Sequence, residues 1–398
     1  MNSTSTQTKI ISPEDDSANN FADFLRAIQK VSGESLKTAS ETDSPDNFPA
    51  RTFDELTKSG LLVSVIPRNY GGAGLGTEAG KTFELLTILK YLGYGNLVVG
   101  RIFEGHFNAW QLINEYGDSR QIEKLANEAI KREHLFGVWN TEAGDGVRIV
   151  PLDNGNFRLE GAKTFASGVG YVNRPIVTGK LPDGGWQMFV AALDEVETRI
   201  DDSWWKPLGM QASRSYRVDF SGAEISRENF IGKPNDYYRQ PFFNGGAIRF
   251  AAVQLGAAEL LLDLTRDFLR ELNRTKDVFQ QSRLGQMTIA VEGGKLWLKS
   301  AAEKFDEYLA EKNQNQIEKI IHYAGMMRTA IELICRSVMQ NCENSIGSRG
   351  LLKPYHFERV LRDLTMYLRQ AAPDATLTGI GSFVLESNDQ FGELWKGR

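Results

Sequence analysis

The hydrophobic period of this chain changes twice, and those two changes limit its fold more than any other feature. From Phe21 to about residue 133, apolar residues step by three and four, the spacing that lines up side chains on one face of an α-helix. Near residue 135 the period drops to two, the spacing of a strand. From Gly245 the helical period returns and persists. The order is therefore helices, then strands, then helices. It divides the chain into a disordered tail (1–18), an all-α domain (19–134), a middle β domain (135–235) and a C-terminal helical bundle (236–398).

Each segment has its own signals. The tail is rich in Ser, Thr, Asn and Asp and cannot bury a core. Phe21, Phe24, Leu25, Ile28 and Val31 predict a short amphipathic helix, followed by a polar loop over 33–47. Further helices are expected at 53–61, 81–92, 98–116 and 119–132, with a Gly-dense turn at 66–75. Strands are expected at 136–140, 157–166, 175–180, 187–193 and 216–225. Asp-Gly, Gly-Gly and Asn-Gly dipeptides between them predict an antiparallel sheet. Long apolar stripes begin at Phe250, Leu284 and Ile317, and with a helix at 357–369 they predict a four-helix bundle.

At 398 residues the chain has room for two or three domains. Its formal net charge of −5 argues against nucleic acid or an anionic membrane as partner. Only two cysteines, Cys335 and Cys342, are present, which excludes a disulfide framework and fits buried thiols in a reducing cytoplasm. Apolar runs such as Leu260-Leu261-Leu262 are too short to span a bilayer, and the N-terminus lacks the basic-then-apolar pattern of a secretory signal. The expected location is cytoplasmic. There is no metal-ligand spacing, no Walker-type phosphate loop and no Ser/His/Asp arrangement.

Two motifs then stand out. One is Gly60-Leu61-Leu62-Val63-Ser64-Val65-Ile66-Pro67 with Tyr70-Gly71-Gly72-Ala73-Gly74-Leu75. The other is Trp205-Lys206-Pro207-Leu208-Gly209-Met210-Gln211-Ala212-Ser213, followed by Tyr216-Arg217-Val218-Asp219-Phe220. In this order and spacing, the chain resembles the acyl-CoA dehydrogenase family from about residue 21 to 386. The resemblance implies an N-terminal helical domain, a central antiparallel β domain and a C-terminal four-helix bundle. It also implies a homodimer or homotetramer. FAD would lie between the β domain and the bundle, with its adenosine half against a neighbouring subunit.

Individual residues take expected roles from that resemblance. Trp139-Asn140-Thr141-Glu142-Ala143-Gly144-Asp145-Gly146 resembles the family's Thr-Glu-Pro-Gly-Ala-Gly-Ser loop, two residues shorter and without the Pro and Ser. Trp139, Asn140 and Thr141 would hold the pyrimidine side of the flavin. Lys163-Thr164-Phe165-Ala166-Ser167-Gly168 resembles Lys-x-Trp-Ile-Thr-Asn. Phe165 keeps the apolar face there, Ala166 follows it, and Ser167 keeps the hydroxyl. Arg274 stands where the family's arginine crosses to the partner's FAD diphosphate, a role suited to its guanidinium fork. Asn344, Gly347 and Ser348 resemble part of Gln-x-x-Gly-Gly-x-Gly, which packs on the adenosine.

The departures matter as much. The family's general-base Glu, then Gly-Thr, is replaced by Ala371, Ala372 and Pro373, and alanine cannot take a proton. Some relatives carry the base on the long helix instead. That position is Ile248, beside Arg249, which the resemblance directs towards substrate. Asp374 and His106 remain as candidates for catalysis, with Gln370, Arg369 and Glu358 behind them. His106 lies on a helix that borders the flavin cavity in this fold, where related monooxygenases use a nearby histidine. Three readings follow: an FAD oxidoreductase of an acyl thioester or related small molecule with a displaced base, a flavin monooxygenase, or a non-catalytic binding protein.

Overall fold

The computed structural model describes residues 17–369 and 372–396. The tail read as disordered therefore lies outside the described residues, except for its last two, which begin a helix. Five helices come first: α1 (Ser17–Thr38), α2 (Ala50–Lys58), α3 (Thr82–Gly95), α4 (Leu97–Tyr116) and α5 (Ser119–Lys131). α1 runs further than its apolar stripe predicts and takes in the first part of the expected loop. Ser32 and Ser35, though polar, are buried, and Ser32 Oγ donates to Tyr91 O of α3 at 2.6 Å.

Ten strands follow: β1 (Leu135–Trp139), β2 (Arg148–Pro151), β3 (Phe157–Glu160), β4 (Ala162–Ala166), β5 (Val172–Lys180), β6 (Trp186–Val190), β7 (Arg199–Asp201), β8 (Tyr216–Asp219), β9 (Glu224–Ile225) and β10 (Phe230–Ile231). They form a seven-stranded sheet in the order β10-β6-β5-β2-β3-β9, with β1 also on β5, and a three-stranded sheet β4-β8-β7. The larger sheet is mixed rather than antiparallel. β1 runs parallel to β5, setting Val138 opposite Ile176, and β2 also pairs parallel to β5. Alternation reports which residues face the core but carries no strand direction, so the crossover formed by 140–171 was invisible in it. The single run expected at 157–166 breaks at Gly161 into β3 and β4, which join different sheets.

The C-terminal helices are α6 (Phe242–Gly245), α7 (Ala247–Glu271), α8 (Val278–Glu311), α9 (Ile317–Gly350), α10 (Phe357–Tyr367), α11 (Pro373–Glu386) and α12 (Phe391–Leu394). α7 is the hub: α3, α8, α9 and α10 all pack on it. The α3–α7 crossing depends on two glycines. A Cβ on Gly93 would lie 2.0 Å from Val253 O, and one on Gly256 2.0 Å from Lys90 O. Only glycine permits that approach. Lys90 pairs with Glu259 across the same crossing. α11 packs on α9 and escaped the sequence pattern, because Thr376, Thr378, Gly379 and Gly381 give it no apolar stripe.

Candidate functional site

Two short segments, 139–141 and 165–167, meet at the edge of the β domain. Trp139 is buried at the end of β1, and its Nε1 donates to Ser167 O at 3.0 Å. One turn further, Thr164 N donates to Thr141 O at 2.9 Å. The structure thus places the Trp139–Asn140–Thr141 and Phe165–Ala166–Ser167 segments side by side.

The turn is fixed from below by a buried cation. Lys163 Nζ, fully buried, donates to Asn140 O at 3.1 Å and Thr178 Oγ1 at 3.0 Å, and pairs with Glu142. Thr178 Oγ1 in turn donates to Asn140 Oδ1 at 2.7 Å. Burial pulls the Lys163 amine below its usual range, with the Glu142 carboxylate opposing that pull. Asn140 is therefore locked, while Thr141 stays exposed.

Phe165 is the unusual residue. The β4–β8 register shifts between Lys163 and Ala166, and Phe165 sits in that bulge at φ +51°. A bulky residue in the left-handed region is strained by roughly 1–2 kcal/mol. Its ring is nonetheless 46% exposed and stands edge-on to Trp204 at 4.8 Å. Ala166 is buried beneath it, and Ser167 Oγ hydrogen-bonds Ser215 Oγ at 2.8 Å.

Val138, the residue before Trp139, faces a cavity of about 580 Å³. Its walls come from α4 (Glu104, Asn108, Gln111, Leu112), the start of α7 (Ala247, Arg249, Phe250), α9 (His322, Arg328) and α11 (Ala375, Thr376, Ile380). Arg249 is buried, donates from Nη1 to Gln111 Oε1 at 2.8 Å, and lies over the Phe107 ring. Burial pushes its guanidinium down to about 10. Glu104 is the one carboxylate in this wall among the described residues. It accepts from Arg101 Nη1 at 2.5 Å and from Asn108 Nδ2. Sequence reasoning passed over Glu104, Asn108 and Gln111. The available signal was their i, i+4, i+7 spacing on a helix whose other positions are mostly apolar.

The catalytic candidates fare differently. His106 is fully buried on another face of α4. Its Nδ1 accepts from Phe136 N at 3.0 Å, so Nε2 carries the proton and donates to Leu62 O at 2.9 Å. Both nitrogens are used, and the expectation of a catalytic His106 gives way to a packing role. Asp374 is exposed in the first turn of α11 and is not part of the cavity wall. Arg369 is exposed, and Glu358 is held by Arg362. Gln370 and Ala371 lie outside the described residues. Ile248, at the alternative base position, is buried.

The residues expected on a dinucleotide's far half gather elsewhere. Arg274 lies between α7 and α8 and pairs with Asp277 at 2.7 Å. With the Gln280 amide oriented to satisfy its neighbours, its carbonyl accepts from Arg274 at 3.2 Å and its nitrogen donates to Ser345 Oγ at 2.9 Å. This brings Arg274 to the α9 segment that carries Asn344, Gly347 and Ser348, all exposed. Gly347 kinks that helix at φ +56°, ψ −165°, a conformation only glycine adopts freely. Among the described residues, no His/Cys/Asp/Glu group is arranged for a metal, and no helix is long and apolar enough to cross a membrane.

Comparison with known proteins covers nearly all of this architecture. Residues 21–133 match the acyl-CoA dehydrogenase N-terminal domain, and residues 248–371 match the acyl-CoA dehydrogenase C-terminal domain. Dibenzothiophene monooxygenase of Mycolicibacterium goodii is 22% identical, with 91% of this chain and 94% of that protein covered. Mitochondrial isobutyryl-CoA dehydrogenase of Dictyostelium discoideum is 24% identical, with 88% and 85% covered. The crystal structure of FMN-bound TdsC from Paenibacillus sp. A11-2 superposes with a TM-score of 0.82 at 17% identity, covering 94% of this chain and 99% of that one.

Proposed function

The chain belongs to the acyl-CoA dehydrogenase family of flavoproteins, and from that membership we propose that it is a flavin-dependent monooxygenase of a small organic molecule rather than a dehydrogenase of acyl thioesters. The observation that carries this reading is the want of a base. α,β-Dehydrogenation requires a group that takes the α-proton, and general-base help is typically worth ~10²- to 10⁴-fold. The family position is Ala371, the alternative position is the buried Ile248, and Glu104 in the cavity is already held by Arg101 and Asn108. Oxygen transfer needs no α-proton base. Similarity to a dibenzothiophene monooxygenase over most of both chains supports the same reading.

The residues present fit a flavin. Phe165 offers an exposed aromatic face in a strained bulge that nothing else among the described contacts explains. Thr141 and Ser167 flank it with hydroxyls, on segments tied together by the Trp139 and Thr164 hydrogen bonds. The cofactor is FAD in this proposal. Arg274, Asn344, Gly347 and Ser348 of a second copy would hold its diphosphate and adenosine, which makes the working unit a homodimer or homotetramer. When bound and reduced, the flavin supplies the two electrons that split dioxygen, one oxygen atom going to substrate and the other leaving as water. The chain's own part is to seat the substrate in the cavity beside Val138, to orient it with Arg249 and Gln111, and to keep water out.

The test uses purified protein loaded with FAD. Under anaerobic conditions a panel of acyl-CoAs is expected to leave the flavin yellow. With flavin reduced externally and oxygen admitted, small organosulfur compounds, both neutral and anionic, are expected to stimulate oxygen use and to gain an oxygen atom. Rapid bleaching by an acyl-CoA would overturn the proposal and return the role of base to Glu104 or Asp374.

A further inference from the structure

We propose that the cavity takes a small organic anion, whose carboxylate or sulfinate docks on Arg249 and the start of α7 while its apolar part lies against Leu112, Phe242, Phe250 and Ile380. The inference concerns the substrate class of the monooxygenase reading and rests on it only for the reaction; binding is a separate matter.

Charge comes first. The cavity wall carries two arginines, Arg249 and Arg328, and one carboxylate, Glu104, which pairs with Arg101 outside the wall. Both Glu104 oxygens are engaged, by Arg101 and by Asn108. Glu104 therefore gives Arg249 no ionic partner at hydrogen-bonding distance.

Arg249 is the cation whose surroundings ask for an anion. It is 6% exposed, yet its Nη1 donates only to the neutral Gln111 carbonyl, and its Nε has no partner among the described residues. A buried guanidinium with donors left over is costly, and an oxyanion with paired oxygens matches its fork. Burial already weakens its hold on its proton, and a bound anion would restore it.

The helix beneath adds to this. α7 is 25 residues long and begins at Ala247 with no side-chain cap. Gly246, Ala247 and Arg249 all form cavity wall, so the positive end of the helix faces the same space. A Cβ on Gly246 would stand 2.5 Å from Arg249 Nη2, so glycine there lets the guanidinium fold back over the helix start. Leu112, Phe242, Phe250 and Ile380 give the same space an apolar side, with His322 and Arg328 also in its wall, and about 580 Å³ suits a small molecule.

Calorimetric titration of the flavin-loaded protein tests the inference. Butyrate and methanesulfonate serve as anionic probes, with butyramide and dimethyl sulfone as neutral counterparts of similar shape. Each anion should bind at least roughly tenfold more tightly than its counterpart, as charge-assisted hydrogen bonds imply. Gln111→Glu places a carboxylate beside Arg249 Nη1 and should weaken anion binding by at least ~10-fold while the thermal melt is kept. Arg249→Lys keeps the charge without the fork and should retain part of the affinity. Equal binding of the neutral counterparts, no anion binding at millimolar concentration, or a Gln111→Glu variant that binds anions as before would each overturn the inference. A protein that binds butyrate yet is bleached by acyl-CoAs would keep this inference and lose the monooxygenase reading.

Discussion

Replacing His106 by leucine separates a packing histidine from a catalytic one. The imidazole bridges two buried backbone groups, Leu62 O at 2.9 Å and Phe136 N at 3.0 Å, and so ties the segment before the Gly-dense turn to β1. Leucine fills the space but leaves both groups unpaired. Each buried orphan costs about 1–3 kcal/mol, so the variant should lose roughly 2–6 kcal/mol. The effect should also depend on pH. Burial holds the His106 imidazole down at about 4, against 6.5 in the unfolded chain. The unfolded state therefore takes up the proton first, and the folded state loses stability as pH falls below 6.5, down to about 4. By linkage the wild-type protein should give up roughly 2 kcal/mol at pH 5 relative to pH 8, and His106→Leu should lack that component. Denaturant unfolding followed by tryptophan fluorescence at both pH values measures it. Because β1 carries Trp139 to the proposed flavin site, cofactor content should fall along with stability. A variant as stable and as yellow as wild type, but unable to use oxygen, would refute the packing assignment and restore His106 to the chemistry.

Phe165→Gly relieves a left-handed phenylalanine but adds glycine's backbone entropy and drops the edge contact with Trp204, so stability should change by less than ~1 kcal/mol. Flavin affinity should fall roughly tenfold in an equilibrium titration, and unchanged affinity would remove Phe165 from the site. Gly256→Ala drives a methyl group towards Lys90 O and should cost ~1–3 kcal/mol or more in denaturant unfolding, since backbone lies on both sides. A neutral outcome would mean that the α3–α7 crossing relaxes freely. Lys163→Met removes the donor to Asn140 O and Thr178 Oγ1 and leaves Glu142 unpaired. Because Glu142 is partly exposed, the cost is discounted to roughly 2 kcal/mol, with a clear loss of flavin uptake. Full uptake would show that the turn holds its shape without the lysine.

The proposed flavin face could be read from the primary structure because its residues lie in two short, contiguous segments, 139–141 and 165–167, which the Trp139 and Thr164 hydrogen bonds bring together. Local runs of that kind keep their motif whatever packs around them. The cavity was not legible in the same way. Glu104, Asn108 and Gln111 come from α4, Arg249 from α7, Arg328 from α9 and Thr376 from α11. Their meeting depends on how the helices cross, and that in turn depends on contacts such as Gly93 against Val253 O.

The amino-acid order alone determined the helix–strand–helix succession, because period two and period 3.6 are local properties of backbone geometry. It also determined that Ala371 and Ile248 bring no base, since residue identity needs no coordinates. Tertiary structure decided the rest. It turned β1 parallel to β5, spent both nitrogens of His106 on backbone, left Asp374 on the surface, and gave Glu104 to Arg101 while Arg249 kept an unpartnered Nε. A periodic pattern tells which side of an element is buried; it cannot tell which neighbour will bury it. Hydrogen-bond partners, and with them charge and reactivity, are set only by that neighbour.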